Sequence, residues 1–477
     1  MLSSSIKTLL PAFFALVAAT NIPLPPGTPR SVLEFREKHP YQPSHLLDRA
    51  RHVITIRHSA NDTDDVSADF KAGLERANHG GTLYLPANQT FVIGQPLDLT
   101  FLDDVQVRLD GEVLFTNDTS YWQSVAFTHP FQNSIMFWKW GGNKVKIYGE
   151  GVLNGNGQRW WNEFAGNQIL DPDNTYLRPI LFYAQNATDW VIEGIHFKDS
   201  PCWNNFIVTS SGFEYKDVVV TAVSNADLPA KNASSDAANT DFFDSLNLDH
   251  LTVERTWVNN GDDCFSPKAN TTDIYVNTMY CNGSHGQSMG SIGEYSGELD
   301  IIENVHIENV WMINGEFGGR LKSWAGPDVG YGYINNVTFK NFYNANNGYA
   351  AYLDSCYFDI NSTECAAYPS QVNVTNVTFD SFSGYTSGAY GRAVASLTCS
   401  SNPNAVCENI VFKNFTVTSP CSNGTDNAVV ICNNIAGGIG IPCVNSTSAE
   451  AIAALADTCT VPLATLPEPT PWAGKKR

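Results

Sequence analysis

Asn336-Val337-Thr338-Phe339-Lys340-Asn341-Phe342 alternates apolar and polar side chains between two asparagines, and Asn409-Ile410-Val411-Phe412-Lys413-Asn414-Phe415 repeats it almost residue for residue. Period-two alternation over a few residues describes a strand with one face in a core. The flanking asparagines tolerate the left-handed backbone that a sharp corner needs. A strand bounded by a corner at each end, and then copied, points to a repeating coil.

Weaker copies run from about Val145 to Val417: Lys144-Val145-Lys146-Ile147-Tyr148-Gly149, Trp190-Val191-Ile192-Glu193, Leu251-Thr252-Val253, Ile274-Tyr275-Val276, Asn304-Val305-His306-Ile307-Glu308-Asn309 and Asn376-Val377-Thr378-Phe379. They return roughly every 20–35 residues, the register of stacked coils. The expected fold is all-β, a single-stranded parallel β-helix. A β-sandwich would show closer, hairpin-like spacing with Asn-Gly turns. Before the coils, Val66, Phe70, Leu74 and Ala77 recur at helical spacing and stop at His79-Gly80-Gly81, which predicts an amphipathic helix over Val66 to Asn78 that caps the open first coil.

The first residues have a basic start, an apolar run from Leu9 to Ala19 and small residues at its end, the layout of a secretory signal peptide rather than of a membrane span. The chain is read as a signal peptide over 1–19, an N-terminal extension over 20–50, the β-helix over 51–460 and a Pro-rich disordered tail over 461–477. Asn-X-Ser/Thr sequons at Asn61, Asn88, Asn117, Asn186, Asn232, Asn270, Asn336, Asn361, Asn376, Asn414 and Asn445, among others, agree with export. So do eleven cysteines without a C-x-x-C pair, which favour disulfides over zinc. Cys356 with Cys365 and Cys399 with Cys407 would each close a short loop, and an odd count leaves one thiol over. The expected place of the protein is extracellular. A formal charge of −20 argues against nucleic acid and anionic membranes as partners. A monomer is expected.

Four short stretches carry the chemistry: Asn239-Thr240-Asp241, Gly261-Asp262-Asp263-Cys264, Gly283-Ser284-His285-Gly286 and Gly318-Gly319-Arg320-Leu321-Lys322. Alone, the first three are ordinary turns and corners, and the fourth is ordinary strand surface. Their spacing carries the information. Asp241 precedes Asp262 by 21 positions and Asp263 precedes His285 by 22, about one coil each, so stacking sets them on adjacent rungs ~4.8 Å apart. Arg320 and Lys322 fall on one side of a strand, where they could hold a uronate carboxylate. Glycoside hydrolysis needs one protonated carboxyl and one ionised carboxylate, and crowding three acids supplies both through coupled titration. Hard cations ordinarily take more oxygen ligands than this set offers, so neither a metal nor a cofactor is expected.

These four motifs, in this order, resemble those of glycoside hydrolase family 28, the polygalacturonases. The resemblance implies a right-handed, pectin-lyase-like parallel β-helix and metal-independent hydrolysis of a pectic polysaccharide with inversion. It makes Asp262 the proton donor, Asp241 and Asp263 the pair that activates water, and His285 the histidine that assists the acid. Arg320, Lys322, Tyr357 and Asn239 become substrate-binding residues. Ser284 before His285, Trp138-Lys139-Trp140-Gly141-Gly142 and Asn154-Gly155-Asn156-Gly157-Gln158-Arg159-Trp160-Trp161 look like fungal exopolygalacturonases, which implies release of galacturonic acid from the non-reducing end. Rhamnogalacturonan or xylogalacturonan as substrate, a calcium-dependent pectate lyase and a non-catalytic pectin-binding protein are the other readings. Two positions depart from the pattern. Leu321 replaces isoleucine, a near-isosteric change. Phe242 replaces a small residue beside Asp241, where it would reshape a subsite, raise the carboxyl's pKa or weaken catalysis.

Overall fold

The computed structural model describes residues 24, 26–43, 51–165, 178–224, 237–358, 360–422, 427–456 and 458–459. The signal peptide and the Pro-rich tail lie outside the described residues, as does Asn232. Strands stack in parallel, coil upon coil. Asp244–Asn259, Thr271–Asn282, Leu299–Ile313, Tyr331–Asn347 and Gln371–Thr386 form successive rungs. The register is strict enough to build a column of core side chains: Val253, Val276, Ile307, Phe339, Phe379 and Phe412 each face the next. The last three rings stack at 5.2 and 4.7 Å. The parallel β-helix is the fold.

The asparagines that bounded each strand are its corners. Asn304, Asn336, Asn376 and Asn409 have φ of 58°, 54°, 55° and 52°, and Asn309 and Asn341 have 59° and 55°. This left-handed conformation costs asparagine less than other side-chain-bearing residues. Stacking then lines up the carboxamides, so that Asn336 donates to Asn304 at 2.8 Å and Asn341 to Asn309 at 3.0 Å.

The predicted cap is a helix over Ser67–Ala77. Asp65 accepts from the Ser67 backbone N–H at 2.8 Å at its start, and left-handed His79 and Gly80 follow its end. Phe70, Leu74 and Ala77 are buried, and Phe70 meets Trp138 at 5.7 Å; each large apolar side chain contributes about 1.5–3 kcal/mol by leaving water. Gly73 lets the helix sit close, since a Cβ there would lie 2.8 Å from Ile56 and 2.9 Å from Leu83. Within the N-terminal extension a second helix, Val32–Lys38, packs Val32 and Phe35 against Val219, Trp257 and Tyr280 on the outside of the coils.

A second parallel sheet carries Arg320, Lys322 and Tyr357: Gln287–Ile292, Phe317–Trp324, Tyr349–Tyr357, Ala393–Thr398 and Val429–Asn433. The three acids and His285 stand on the corners beside it. Five disulfides join Cys264–Cys281, Cys356–Cys365, Cys399–Cys407, Cys421–Cys459 and Cys432–Cys443. They include both short loops expected from spacing. Cys202 is the free thiol and is buried.

Candidate active site

Backbone hydrogen bonds pass from coil to coil directly beneath the acids. Asn204 N–H donates to Asp241 O at 2.8 Å, Phe242 N–H to Asp263 O at 3.1 Å and Cys264 N–H to Gly286 O at 2.9 Å. The three acids therefore sit on adjacent rungs, and one carboxylate oxygen from each lies within 4.8 Å of the others.

Each acid has a different environment. Asp263 is buried; it accepts from Ser288 Oγ at 2.6 Å and Ser266 Oγ at 3.1 Å, is ion-paired with Lys322, and lies 4.0 Å from Arg320. Burial works most strongly against its charge, but Lys322, Arg320 and Lys268 together outweigh it and hold the carboxyl below the usual range. Asp262 is more open. Its Oδ1 accepts from the Asp263 N–H at 2.7 Å and lies 3.1 Å from His285 Nδ1, while its Oδ2 accepts from Asn239 Nδ2 at 3.3 Å. Burial again works against the charge, and His285, with Lys322 and the Asp263 N–H, overcomes it, so Asp262 titrates below the usual range. Burial would lower the partner imidazole, but Asp262 wins and raises His285 to about 9. Glu316 stands 3.9 Å from the other nitrogen of His285.

Asp241 is buried with Oδ1 lacking a hydrogen-bond partner among the described residues. Burial first, then the charges of Asp244, Asp262 and Asp263, push its pKa well up against the opposing pull of Lys268. The surroundings of Asp241 therefore favour its proton, whereas those of Asp262 and His285 favour an ion pair.

Arg320 and Lys322 do project to one side, and both lie by Tyr357, with ring centroids 5.4 and 5.0 Å away. Arg320 also lies 4.6 Å from the centre of the Phe317 ring. Asn239, expected to bind substrate, lines the cleft and faces Asp262. Arg178 NH2 donates to its Oδ1 at 2.6 Å, which fixes the amide so that Nδ2 points at the acid.

Phe242 does not border the cleft. It is fully buried in the coil core, 5.9 Å from Tyr215 and 6.1 Å from Phe243, and Phe243 is buried there with it; the corner that precedes the strand Asp244–Asn259 turns both rings inward. The ring therefore shapes no subsite, contrary to the expectation from its place beside Asp241. Leu321 is core as well.

Sequence reasoning missed several neighbours. Lys268 is buried, 3.1 Å from Asp244, and donates to Ser266 Oγ; Asp244 lies beside Asp241, and burial raises it to about 7 despite Lys268. Gln132, Trp203, Trp324 and Phe358 complete the cleft wall. Gln132 belongs to an antiparallel hairpin, Phe127–His129 with Ser134–Met136, and bridges to Glu294 at 2.9 Å and Tyr295 at 2.8 Å. The signal for Lys268 was its period-two spacing from Ser266; no local pattern marks Gln132.

The sequence profile of the glycosyl hydrolases of family 28 matches residues 81–443, which contain every one of these acids. The chain belongs to family 28. Among its family 28 relatives, the protein named "Probable exopolygalacturonase B" of Emericella nidulans is 56% identical over 396 residues, 83% of this chain and 88% of the relative. The protein of the same name from Neosartorya fischeri is 54% identical over 419 residues, 88% of each chain. Among solved structures, an endo-xylogalacturonan hydrolase from Aspergillus tubingensis superposes with a TM-score of 0.72 at 28% identity, covering 82% of this chain and 99% of that one. An exopolygalacturonase from Thermotoga maritima gives 0.58 at 17% identity, over 81% of this chain and 93% of that one, a likeness of fold. Among the described residues no helix is long and apolar enough to cross a membrane.

Proposed function

We propose that the chain is a secreted exopolygalacturonase that hydrolyses α-1,4-galacturonosyl linkages of polygalacturonate and releases galacturonic acid from the non-reducing end. One observation carries the reading: three carboxylates in three distinct electrostatic settings lie beside two cations and a tyrosine, in a family 28 chain 54–56% identical to fungal proteins named as exopolygalacturonases. The five disulfides support export.

The Asp262–His285 pair holds one transferable proton. Asp262 delivers it to the leaving oxygen, and His285 Nδ1, 3.1 Å away, replenishes it. The Asp263 N–H, Asn239 and His285 all aim donors at the Asp262 carboxylate, so the charge that develops there in the transition state is met by groups already in place. Asp241 and Asp263 hold the attacking water; Asp263, kept ionised by Lys322, takes its proton. Arg320 and Lys322 bind the uronate carboxylate under Tyr357. The oxygens of the three acids lie closer than the ~6.5–9.5 Å usual between carboxyl groups of inverting enzymes. The inversion proposed here therefore rests on the family resemblance, and proton NMR of the first-formed anomer checks it.

Product analysis on polygalacturonic acid tests the whole reading. Monomer with little early loss of viscosity is expected; rapid viscosity loss with mixed oligomers would sink the exo assignment. The superposition on an endo-xylogalacturonan hydrolase favours a second reading, a decorated backbone. Faster turnover of xylogalacturonan than of the plain polymer would establish it.

A further inference from the structure

Away from the cleft, a groove of about 300 Å³ crosses the outer surface where strands Leu299–Ile313, Tyr331–Asn347 and Gln371–Thr386 begin. Leu299 and Tyr331 face each other across adjacent rungs and remain 46% and 47% exposed. Tyr333 lines the groove beside them, directly opposite Asn373 on the next rung. Asn402 and Asn404, from the loop closed by the Cys399–Cys407 disulfide, form one wall. Among the described residues no charged side chain lines it, and Glu303 stands next to it, hydrogen-bonded to Tyr333. Aromatic faces among carboxamides, without charge, suit an uncharged pyranose, whose C–H faces pack on rings and whose hydroxyls pair with amides.

Asn373-Val374-Thr375 is itself a sequon. Most sequon asparagines of the coils spend their amide nitrogen on the fold: Asn270, Asn282, Asn336, Asn376 and Asn414 each donate Nδ2 to a side chain one rung earlier, at 2.8–3.3 Å. Asn373 does not. Its Oδ1 accepts from the Val406 backbone N–H at 2.8 Å, which fixes the amide plane, and Nδ2 has no protein partner among the described residues. Val406, 39% exposed, adds a third uncovered apolar side chain next to it.

We propose that Asn373 carries an N-linked glycan whose first sugars lie in this groove against Tyr331 and Leu299. The linkage forms between Asn373 Nδ2 and C1 of an N-acetylhexosamine as the bond from C1 to the diphosphate of a glycosyl-diphosphate donor breaks; the amide gives up one proton and the diphosphate leaves. The acceptance from Val406 N–H survives, since Oδ1 takes no part. The proposal rests on the export proposed above.

Protein secreted from a eukaryotic host tests it by glycopeptide mapping and by the rate at which a peptide N-glycosidase releases each glycan from the native fold. Asn373 should be occupied, and its glycan should leave about tenfold more slowly than those of the exposed sequons Asn61, Asn88 and Asn445. Tyr331→Ala should remove that protection while leaving occupancy intact. A bare Asn373 beside glycosylated exposed sequons overturns the proposal and leaves export standing. Equal release from wild type and Tyr331→Ala overturns the seating. Bare asparagines at every sequon overturn it together with export.

Discussion

Asp241 and Asp262 are two carboxyl groups on adjacent rungs whose surroundings drive them in opposite directions. Asp262 lies below the ordinary carboxylate range, so the stability it contributes is present above that range and lost as pH falls through its folded value. His285 is raised, so its contribution is complete below the unfolded value and fades as pH climbs toward about 9. Asp241 has the contrary sign. Above the ordinary carboxylate range the unfolded chain gives up this proton and the folded one retains it, so stability falls as pH rises. Asp241→Asn should therefore abolish hydrolysis yet raise stability at pH 7, with the gain vanishing below about pH 4; thermal unfolding across pH checks this, and a destabilised variant at pH 7 would contradict it. Arg178 acts on the chemistry through Asn239, which it holds toward Asp262. Arg178→Met should cost about tenfold or more in kcat with KM nearly unchanged, and Asn239→Ala should add little to it. A loss confined to KM would assign Asn239 to substrate instead.

At the scale of the element, the corner before the strand Asp244–Asn259 settles which neighbours of the first motif reach the cleft, since Asp241 lines it while Phe242 and Phe243 both enter the core. Asp241 faces outward and Phe242 inward, so Phe242→Ala should cost about 3–5 kcal/mol of stability while the folded fraction still releases the same products. A switch from monomer to mixed oligomers would show that the ring bears on the cleft after all. The corners and the capping helix were legible beforehand because their causes are local: asparagine in a left-handed bend and an apolar stripe at helical spacing. The rung spacing of the first three motifs was legible for the same reason, since 21 or 22 positions there make one coil. Ser288 and Arg178 escaped because their partners come from other coils. Arg178 reaches Asn239 across 61 positions and Ser288 reaches Asp263 across 25, and nothing local in a sequence records which side chains meet after stacking. The reading of Phe242 went astray by treating adjacency in sequence as adjacency in space.

The molecule as a whole is an anion that works on an anion. With 48 acidic against 28 basic residues, it repels polygalacturonate at long range, and the cations that attract the substrate are few and nearly buried: Arg320 is 8% and Lys322 3% exposed. Salt screens the diffuse repulsion much more than the buried contacts. Raising ionic strength from about 0.01 to 0.15 M at pH 7 should lower KM for the polymer, with kcat steady. Initial rates give the answer, and a rising KM would mean that exposed cations dominate binding.

The disulfides are distributed unevenly along this solenoid. Every one lies at or beyond Cys264, and the coils before it hold together by stacking alone, under a helix that caps them. Synthesis delivers the unbridged end first, so early coils can slide, test and correct their register before any covalent bond forms. The later coils are then fastened onto a template already aligned, and oxidation records a register that noncovalent contacts have chosen.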